Sequence, residues 1–310
     1  METLKINFGY LWQGFNNEDN YFTRILSLKY KVELSDDPDF FFFTYPYNGK
    51  RDYLKYKCHR IFIGPENRRA DWNICDYVLD SDFYENNPRH KRLPLWALWH
   101  PERLIQPKET SVLKIKNKFC CMVVSNGDAK ERIEFFNRLS KYKKVDSGGR
   151  FMNNIGGAVE DKMKFISEYK FVISFENSAY PGYTTEKLIQ PMLVNSIPVY
   201  WGNPVVDKDF NTKSFINIAD INSFDEAIEK IIQLDKDDEK YMAMAAQPWF
   251  ANDELPAEFT QESLANFFDF VIEDSKTKKP VGASWQKETG HRISLLTNRL
   301  KAKIKHRLGI

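Results

Sequence analysis

The sequence predicts an α/β protein of two domains, each built on a mostly parallel sheet. The chain has 310 residues, and typical single domains have about 100–150. Short apolar stretches of strand length alternate with amphipathic stretches of helical period, which is typical of βαβ units. The alternation starts again near residue 118, after a passage with several prolines. Two Rossmann-like domains that face each other across a cleft fit this pattern better than one large sheet.

The first domain is predicted over residues 1–110. A helix is expected over residues 19–30, because apolar residues recur there at three- and four-residue spacing. The three prolines between 94 and 107 interrupt regular structure and indicate a hinge near the end of this domain. Strands are expected where apolar residues dominate, at 5–10, 32–34, 40–43 and 60–63.

The second domain is predicted over residues 111–275. The continuous apolar run at 171–175 indicates a strand that is buried on both faces. Ligands of such sheets bind beyond the carboxyl ends of the strands, so the loops after residues 63, 124 and 175 are expected to carry function. Strands are expected at 118–124, 171–175, 197–200 and 214–218, and helices at 129–141, 184–195, 223–234 and 258–273.

Residues 276–310 are predicted to form a basic amphipathic tail. They carry ten Lys and Arg against one acid, a charge of +9, and since the whole chain has a net charge of +2 the remainder carries −7. Apolar residues recur at helical spacing within 291–310, so we expect this helix to bind an anionic membrane surface. A terminal helix that is solvated or forms a dimer is the alternative. The acidic body would repel a phosphate backbone, so nucleic acid is not an expected partner.

The remaining composition predicts a cytoplasmic protein, with a peripheral position on the inner membrane as the alternative. No apolar stretch approaches the roughly 18 residues that a membrane-spanning helix needs, and the first residues lack the pattern of a secretory signal. No CxxC pair and no histidine at zinc spacing accompanies the cysteines, so we expect reduced thiols and no metal site. These cysteines are Cys58, Cys75, Cys120 and Cys121.

The most informative stretch is FENSAYPGYTTEK, residues 175–187. A buried strand runs there into a polar loop that contains proline and glycine, and the loop leads into a helix. The N terminus of a helix presents unpaired N–H groups, so this loop is suited to an anion such as a diphosphate, and Lys187 adds a positive charge. A plain helix cap at Thr184, with Lys187 in solvent, is the alternative.

The longer run FENSAYPGYTTEKLIQPMLVNSIPVYWGNP, residues 175–204, resembles the donor-site signature of the α-1,3/4-fucosyltransferases, glycosyltransferase family 10. The resemblance to Helicobacter-type bacterial members extends to GPEN at 64–67, CDY at 75–77, RLPL at 92–95 and SGG at 147–149. It implies a GT-B fold and an inverting α-1,3 transfer of L-fucose from GDP-β-L-fucose, with no tightly bound cofactor and no required divalent metal. The implied acceptor is an oligosaccharide of the N-acetyllactosamine or lactose type, in the synthesis of a bacterial surface polysaccharide such as a lipopolysaccharide with Lewis antigens.

The resemblance also implies a set of donor-binding residues. Asn177, Tyr183, Glu186 and Lys187 fall on donor-binding positions of the signature, and Lys187 would face the diphosphate. Arg132 matches an arginine that contacts the phosphates, to which a guanidinium fork is suited. Tyr183 would pack on the nucleotide or hydrogen-bond to it, and Glu186 would bind a sugar hydroxyl or lie near the positive charge at the anomeric carbon. A solvated arginine, a core tyrosine and a glutamate that interacts only with the helix dipole are the alternatives.

Inversion also requires a carboxylate that takes the proton of the acceptor hydroxyl. The family's Gly-Glu-Asn string in the acceptor domain matches GPEN at 64–67 with Pro65 inserted, so Glu66 is expected to be this base. Asp82 is the second candidate, because SDF at 81–83 keeps one acid of a Phe-Asp-Glu string in relatives. A solvated loop position is the alternative for both. Two other functions stay open: an α-1,4 or other linkage on the same fold, and a glycan- or nucleotide-binding protein without activity.

Overall fold

The computed structural model describes residues 1–9, 11–12, 14–45, 52–108, 116–281 and 293, and these divide into two compact units. The first unit comprises Met1–Leu93 and the described residues from Glu258 onward, and the second comprises Pro94–Ala257. These units differ from the predicted segments in two places. The passage with several prolines belongs to the second unit, and the helix predicted at 258–273 belongs to the first. Apart from 276–281 and 293, the predicted tail lies outside the described residues.

The first unit is built on a parallel sheet whose described strands follow the order β2-β1-β3-β4-β5-β6. All four phenylalanines of β3 are buried, as expected for an interior strand of a parallel sheet. Helix α1 is shorter than the predicted 19–30: Asn20 caps its start, accepting hydrogen bonds from the backbone N–H groups of Phe22 and Thr23, and Ser27 is its C-cap. The strands are β1 Thr3–Gly9, β2 Lys31–Leu34, β3 Phe40–Phe43, β4 His59–Ile63, β5 Tyr77–Asp80 and β6 His90–Arg92, and the helices are α1 Tyr21–Leu26 and α7 Gln261–Ser275.

The second unit is built on a parallel sheet of described strands in the order β11-β10-β9-β7-β8. Its core includes Phe135, whose ring centroid lies 5.0 Å from that of Phe175 and 5.3 Å from that of Phe224. These contacts join the sheet to the two helices that carry Phe135 and Phe224. The strands are β7 Lys118–Met122, β8 Val145–Ser147, β9 Tyr169–Phe175, β10 Ile197–Trp201 and β11 Ile216–Asn217, and the helices are α2 Lys130–Leu139, α3 Lys162–Ser167, α4 Glu186–Leu193, α5 Phe224–Lys236 and α6 Asp238–Ala245.

The prediction of an α/β protein with two parallel sheets is confirmed. Every strand pair in both described sheets is parallel. The pattern did not predict β5, β6, β8, α3 or α6, because strands of three or four residues that include charged residues give no clear period, and α3 and α6 are short helices. Within the described part of the chain, none of the helices has the length and apolar character that crossing a membrane requires.

Gly149 lies against the backbone of Val124, in the loop after β8. A Cβ at Gly149 would lie 1.9 Å from the Val124 carbonyl oxygen, and backbone cannot rotate away. Gly149→Ala is therefore expected to lower the free energy of unfolding by about 3 kcal/mol, a typical cost of overpacking. Denaturant unfolding measures this loss, and Gly157→Ala is the control, because a Cβ at Gly157 meets nothing within 4 Å. Equal unfolding free energies of the two variants would contradict the prediction.

Candidate active site

The sheet of the second unit brings several loops to the edge at which its strands end. Strand β9 ends at Phe175 and β10 ends at Trp201, and these two residues are register partners. The next backbone N–H, that of Glu176, donates a hydrogen bond to the Trp201 carbonyl at 2.8 Å. Because parallel strands end at the same edge, the loops after β7, β9 and β10 lie together.

Helix α4 begins at Glu186, and Thr185 is its N-cap. The hydroxyl of Thr185 accepts a hydrogen bond from the backbone N–H of Lys187 at 3.3 Å. The expectation that Thr184 caps the helix is therefore wrong by one residue. Thr184 and Thr185 are adjacent residues of the same type, and both are buried in the structure. The sequence alone therefore could not tell which of the two hydroxyls would face the helix.

The segment before the cap is fixed by buried polar groups. The hydroxyl of Thr184 lies 3.3 Å from the Tyr200 hydroxyl and accepts a hydrogen bond from Asn203 Nδ2 at 3.1 Å. Asn203 Oδ1 in turn accepts from the Gly182 N–H at 2.8 Å. Gly182 has a φ of 86°, a conformation that glycine adopts without strain. The loop thus reaches the helix in a defined conformation.

Charged side chains surround the N terminus of α4. Lys187 Nζ lies 3.4 Å from Glu176 Oε2 and 3.4 Å from Glu186 Oε1, and the lysine side chain is 17% exposed. Burial favours a raised pKa of Glu186, but the positive charges of Lys187 and Lys162 outweigh it and hold that pKa below its usual value. Burial lowers the pKa of Lys162. Two lysines and two glutamates therefore meet at the N terminus of α4, where the positive end of the helix dipole favours a negatively charged ligand.

Arg132 of α2 is 1% exposed and joins two of the loops. Its Nε and Nη2 donate to the Phe175 carbonyl oxygen at 3.2 and 2.6 Å. Its Nη1 donates to the Asn126 carbonyl oxygen at 3.1 Å, and Nη2 donates to Asn177 Oδ1 at 3.0 Å. Arg132 therefore supports the loop that carries Asn177, and the contact of Arg132 with phosphates stays a prediction.

Arg132→Ala is expected to lower the free energy of unfolding by about 3 kcal/mol, because hydrogen bonds to a charged group contribute about 1.5–3 kcal/mol each. Thermal unfolding followed by circular dichroism measures this loss. Arg138→Ala on the same helix is the control, because the Arg138 side chain is more exposed and pairs with the exposed side chains of Glu134 and Asp225. An unchanged unfolding temperature in Arg132→Ala would contradict a supporting role.

The structure brings Arg132, Asn177, Glu186 and Lys187 together, as the sequence predicted for residues of one site. Tyr183 is 2% exposed and lies in the packed interior, so its contact with a nucleotide stays a prediction. The sequence analysis missed Glu176 and Lys162. The sequence could have indicated Glu176, because an acid there directly follows a buried strand. Nothing in the sequence indicates Lys162, because only the packing of the unit brings α3 near α4.

In the first unit, Glu66 and Asp82 follow the neighbouring strands β4 and β5. Asp82 is buried and forms an ion pair with Arg69, whose guanidinium also donates to Asn67 Oδ1. Glu66 is half-buried. Arg69 thus links the two loops and pairs with the Asp82 carboxylate. Within the described ranges, no group of three or more His, Cys, Asp or Glu side chains is arranged to hold a metal ion.

Two family models match the chain. The model of the C-terminal part of glycosyltransferase family 10 (fucosyltransferase) matches residues 113–263. The model of the α-(1,3)-fucosyltransferase FucT N-terminal domain matches residues 6–99. Every predicted site residue lies within one of these two ranges.

Individual proteins of the family are similar in sequence. The α-(1,3)-fucosyltransferase FucT of Helicobacter pylori is 33% identical over 268 residues, which are 74% of this chain and 56% of that protein. The human 4-galactosyl-N-acetylglucosaminide 3-α-L-fucosyltransferase 9 is 35% identical over 133 residues, 41% of this chain and 36% of that protein. The chain thus spans little more than half the length of the bacterial relative.

Solved structures extend the similarity to the fold. A crystal structure of an α1,3-fucosyltransferase with GDP-fucose matches with a TM-score of 0.75 at 27% identity, over 88% of this chain and 91% of that one. A crystal structure of an α1,3-fucosyltransferase with GDP matches with a TM-score of 0.77 at 28% identity, over 91% of this chain and 93% of that one. The predicted GT-B class of fold is confirmed. The chain belongs to glycosyltransferase family 10, the fucosyltransferases.

Proposed function

We propose that the protein transfers L-fucose from GDP-fucose to a hydroxyl of a carbohydrate, forming an α-1,3 linkage. The observation that supports this most is the cluster of Lys162, Glu186 and Lys187 at the N terminus of α4, within the range of the family 10 model. Related crystal structures hold GDP-fucose and GDP. The lysines of this cluster would compensate the negative charge of a nucleoside diphosphate.

The donor would be activated by groups of the second unit. Transfer breaks the bond between the anomeric carbon and the diphosphate, so negative charge grows on the leaving GDP. Lys187 and the positive end of the α4 helix dipole would stabilise that charge, while Arg132 would keep Asn177 oriented. Glu186, with its lowered pKa, is ionised at neutral pH and would bind a fucose hydroxyl or lie near the positive charge at the anomeric carbon. Side chains and helix supply the compensating charge in this proposal, so it requires no divalent metal.

The acceptor would be activated by a carboxylate of the first unit. Its hydroxyl oxygen attacks the anomeric carbon, its proton passes to the carboxylate, and GDP leaves, so the β-linked donor gives an α-linked product. Glu66 is our first candidate for this base, because it follows β4 and keeps the family's Glu-Asn pair, and Asp82, which is paired with Arg69, is the second. The proposed acceptor is an oligosaccharide of the N-acetyllactosamine or lactose type from a bacterial surface polysaccharide.

Incubation with GDP-fucose and a panel of lactose, type 1 and type 2 disaccharides tests this function. We expect release of GDP and an α-1,3-fucosylated product of lactose or the type 2 disaccharide, identified by NMR. An α-1,4 product of the type 1 disaccharide would favour the other linkage. Binding of GDP-fucose without transfer to any of the sugars would favour a glycan- or nucleotide-binding protein without activity.

We also propose that residues 291–310 bring the enzyme to an anionic membrane surface. Each basic residue near such a surface contributes about 1 kcal/mol, so replacing Lys301, Lys303 and Lys305 by glutamate should weaken binding at least about a hundredfold. Sedimentation of the full-length protein with vesicles of phosphatidylglycerol measures this, and vesicles of phosphatidylcholine are the control. Equal sedimentation of the variant and the unchanged protein would contradict the proposal.

A further inference from the structure

Glu176 is a buried carboxylate to which the proposed function assigns no role. It is 0% exposed and directly follows β9. Its Oε1 accepts a hydrogen bond from the Thr185 backbone N–H at 2.7 Å, and its Oε2 accepts one from the Thr185 hydroxyl at 2.8 Å. Oε2 also lies 3.4 Å from Lys187 Nζ. One carboxylate thus contacts both the N-cap of α4 and the lysine beside it.

The neighbouring backbone leaves room for this side chain. Gly202 follows β10, and a Cβ there would lie 2.5 Å from Glu176 Cγ and 2.7 Å from Glu176 Cβ. Gly202 has a φ of 155°, which favours glycine. The Glu176 N–H also donates to the Trp201 carbonyl at 2.8 Å. The backbone of Glu176 is therefore held against the end of β10.

A buried negative charge at this position destabilises the fold unless a partner compensates it. Burial raises the pKa of Glu176, whereas the charge of Lys187 opposes that rise. Glutamine has nearly the same size, and its carbonyl oxygen could also accept a hydrogen bond from Thr185. What the carboxylate adds is a charge that attracts the ammonium group of Lys187.

We propose that Glu176 is a positioning residue that holds the Lys187 ammonium group and the first turn of α4 ready for a nucleoside diphosphate. Its effect on catalysis rests on the proposed function. Groups that are fixed before the ligand arrives need no reorganisation during the reaction.

The first test does not depend on fucose transfer. Glu176→Gln removes the charge but keeps the size, so the pKa of Lys187 should fall and more of its amine should be neutral. We expect an N-hydroxysuccinimide ester to acylate Lys187 about tenfold faster in Glu176→Gln, measured by peptide mass spectrometry. Glu176→Asp, which keeps the charge, should stay within about twofold of the unchanged protein.

Asp235→Asn is the matched control. The Asp235 side chain is 7% exposed and its Oδ2 accepts from the Tyr142 hydroxyl at 3.0 Å and lies 3.1 Å from Lys143 Nζ. Removing this charge should leave the acylation of Lys187 unchanged. An equal acylation rate of Lys187 in Glu176→Gln and the unchanged protein would overturn the inference, and Glu176→Ala, which also removes the charge, gives the same comparison if Glu176→Gln does not fold.

The second test measures catalysis. We expect kcat to fall about 10- to 100-fold in Glu176→Gln, because a misplaced group near the reacting atoms has costs of that size. Asp235→Asn should match the unchanged protein in kcat. A wild-type kcat in Glu176→Gln would overturn the inference. If the unchanged protein transfers no fucose, the proposed function fails, while the acylation result still decides whether Glu176 controls Lys187.

Discussion

Replacing Lys187 by alanine is expected to lower the turnover of fucose transfer about a hundredfold and to weaken GDP binding. The loss corresponds to about 3 kcal/mol of transition-state stabilisation, the typical cost of removing one fixed group that faces developing charge. Lys187 is expected to have this effect because its ammonium group lies at the N terminus of α4, where it adds to the positive end of the helix dipole. Steady-state kinetics and calorimetric titration with GDP measure both quantities.

Lys170→Ala is the matched control for this variant. The Lys170 side chain is 18% exposed, close to the 17% of Lys187, and it is also paired with an acid, since its Nζ lies 3.1 Å from Asp238 Oδ1. It lies on β9 of the same unit, so both variants remove a half-buried cation. We expect wild-type turnover from Lys170→Ala. Wild-type GDP affinity in Lys187→Ala would contradict the assignment of Lys187 to the diphosphate.

Glu66→Gln is expected to lower turnover about 10²- to 10⁴-fold while GDP-fucose binding is retained. Glutamine keeps the size and hydrogen-bonding capacity of the side chain but cannot take the proton of the acceptor hydroxyl. The donor is bound by residues of the second unit in our proposal, so its affinity should not change. Single-turnover kinetics and calorimetric titration with GDP-fucose separate the two quantities.

One control and one further variant test whether Glu66 or Asp82 is the base. Glu85→Gln is the control, because Glu85 is an exposed acid in the loop that also carries Asp82. Asp82→Asn breaks the ion pair with Arg69, so we expect a loss of stability and a smaller loss of turnover than in Glu66→Gln. Near-normal turnover in Glu66→Gln together with collapse in Asp82→Asn would transfer the role of base to Asp82.

The sequence predicted the strands that consist of a continuous run of apolar residues. The four phenylalanines at 40–43 and the run at 171–175 are strands in the structure, because a continuous apolar run of that length is buried in a parallel sheet. Strand β5 was missed, since YVLD over Tyr77–Asp80 is short and ends on a charge. Helix ends were also misjudged: polar caps at Asn20 and Thr185 begin α1 and α4 inside the predicted ranges.

The sequence by itself determined the family, the α/β class and the local order over residues 175–187, in which a strand, a loop and a helix N terminus with Lys187 follow one another along the chain. Only the tertiary structure decided what these groups contact. It brought Lys162 near Glu186, put the Arg132 guanidinium on the Phe175 carbonyl oxygen, and paired Asp82 with Arg69. Such contacts join different strands, helices and loops, so they depend on sheet order and side-chain packing, which local periodicity does not encode.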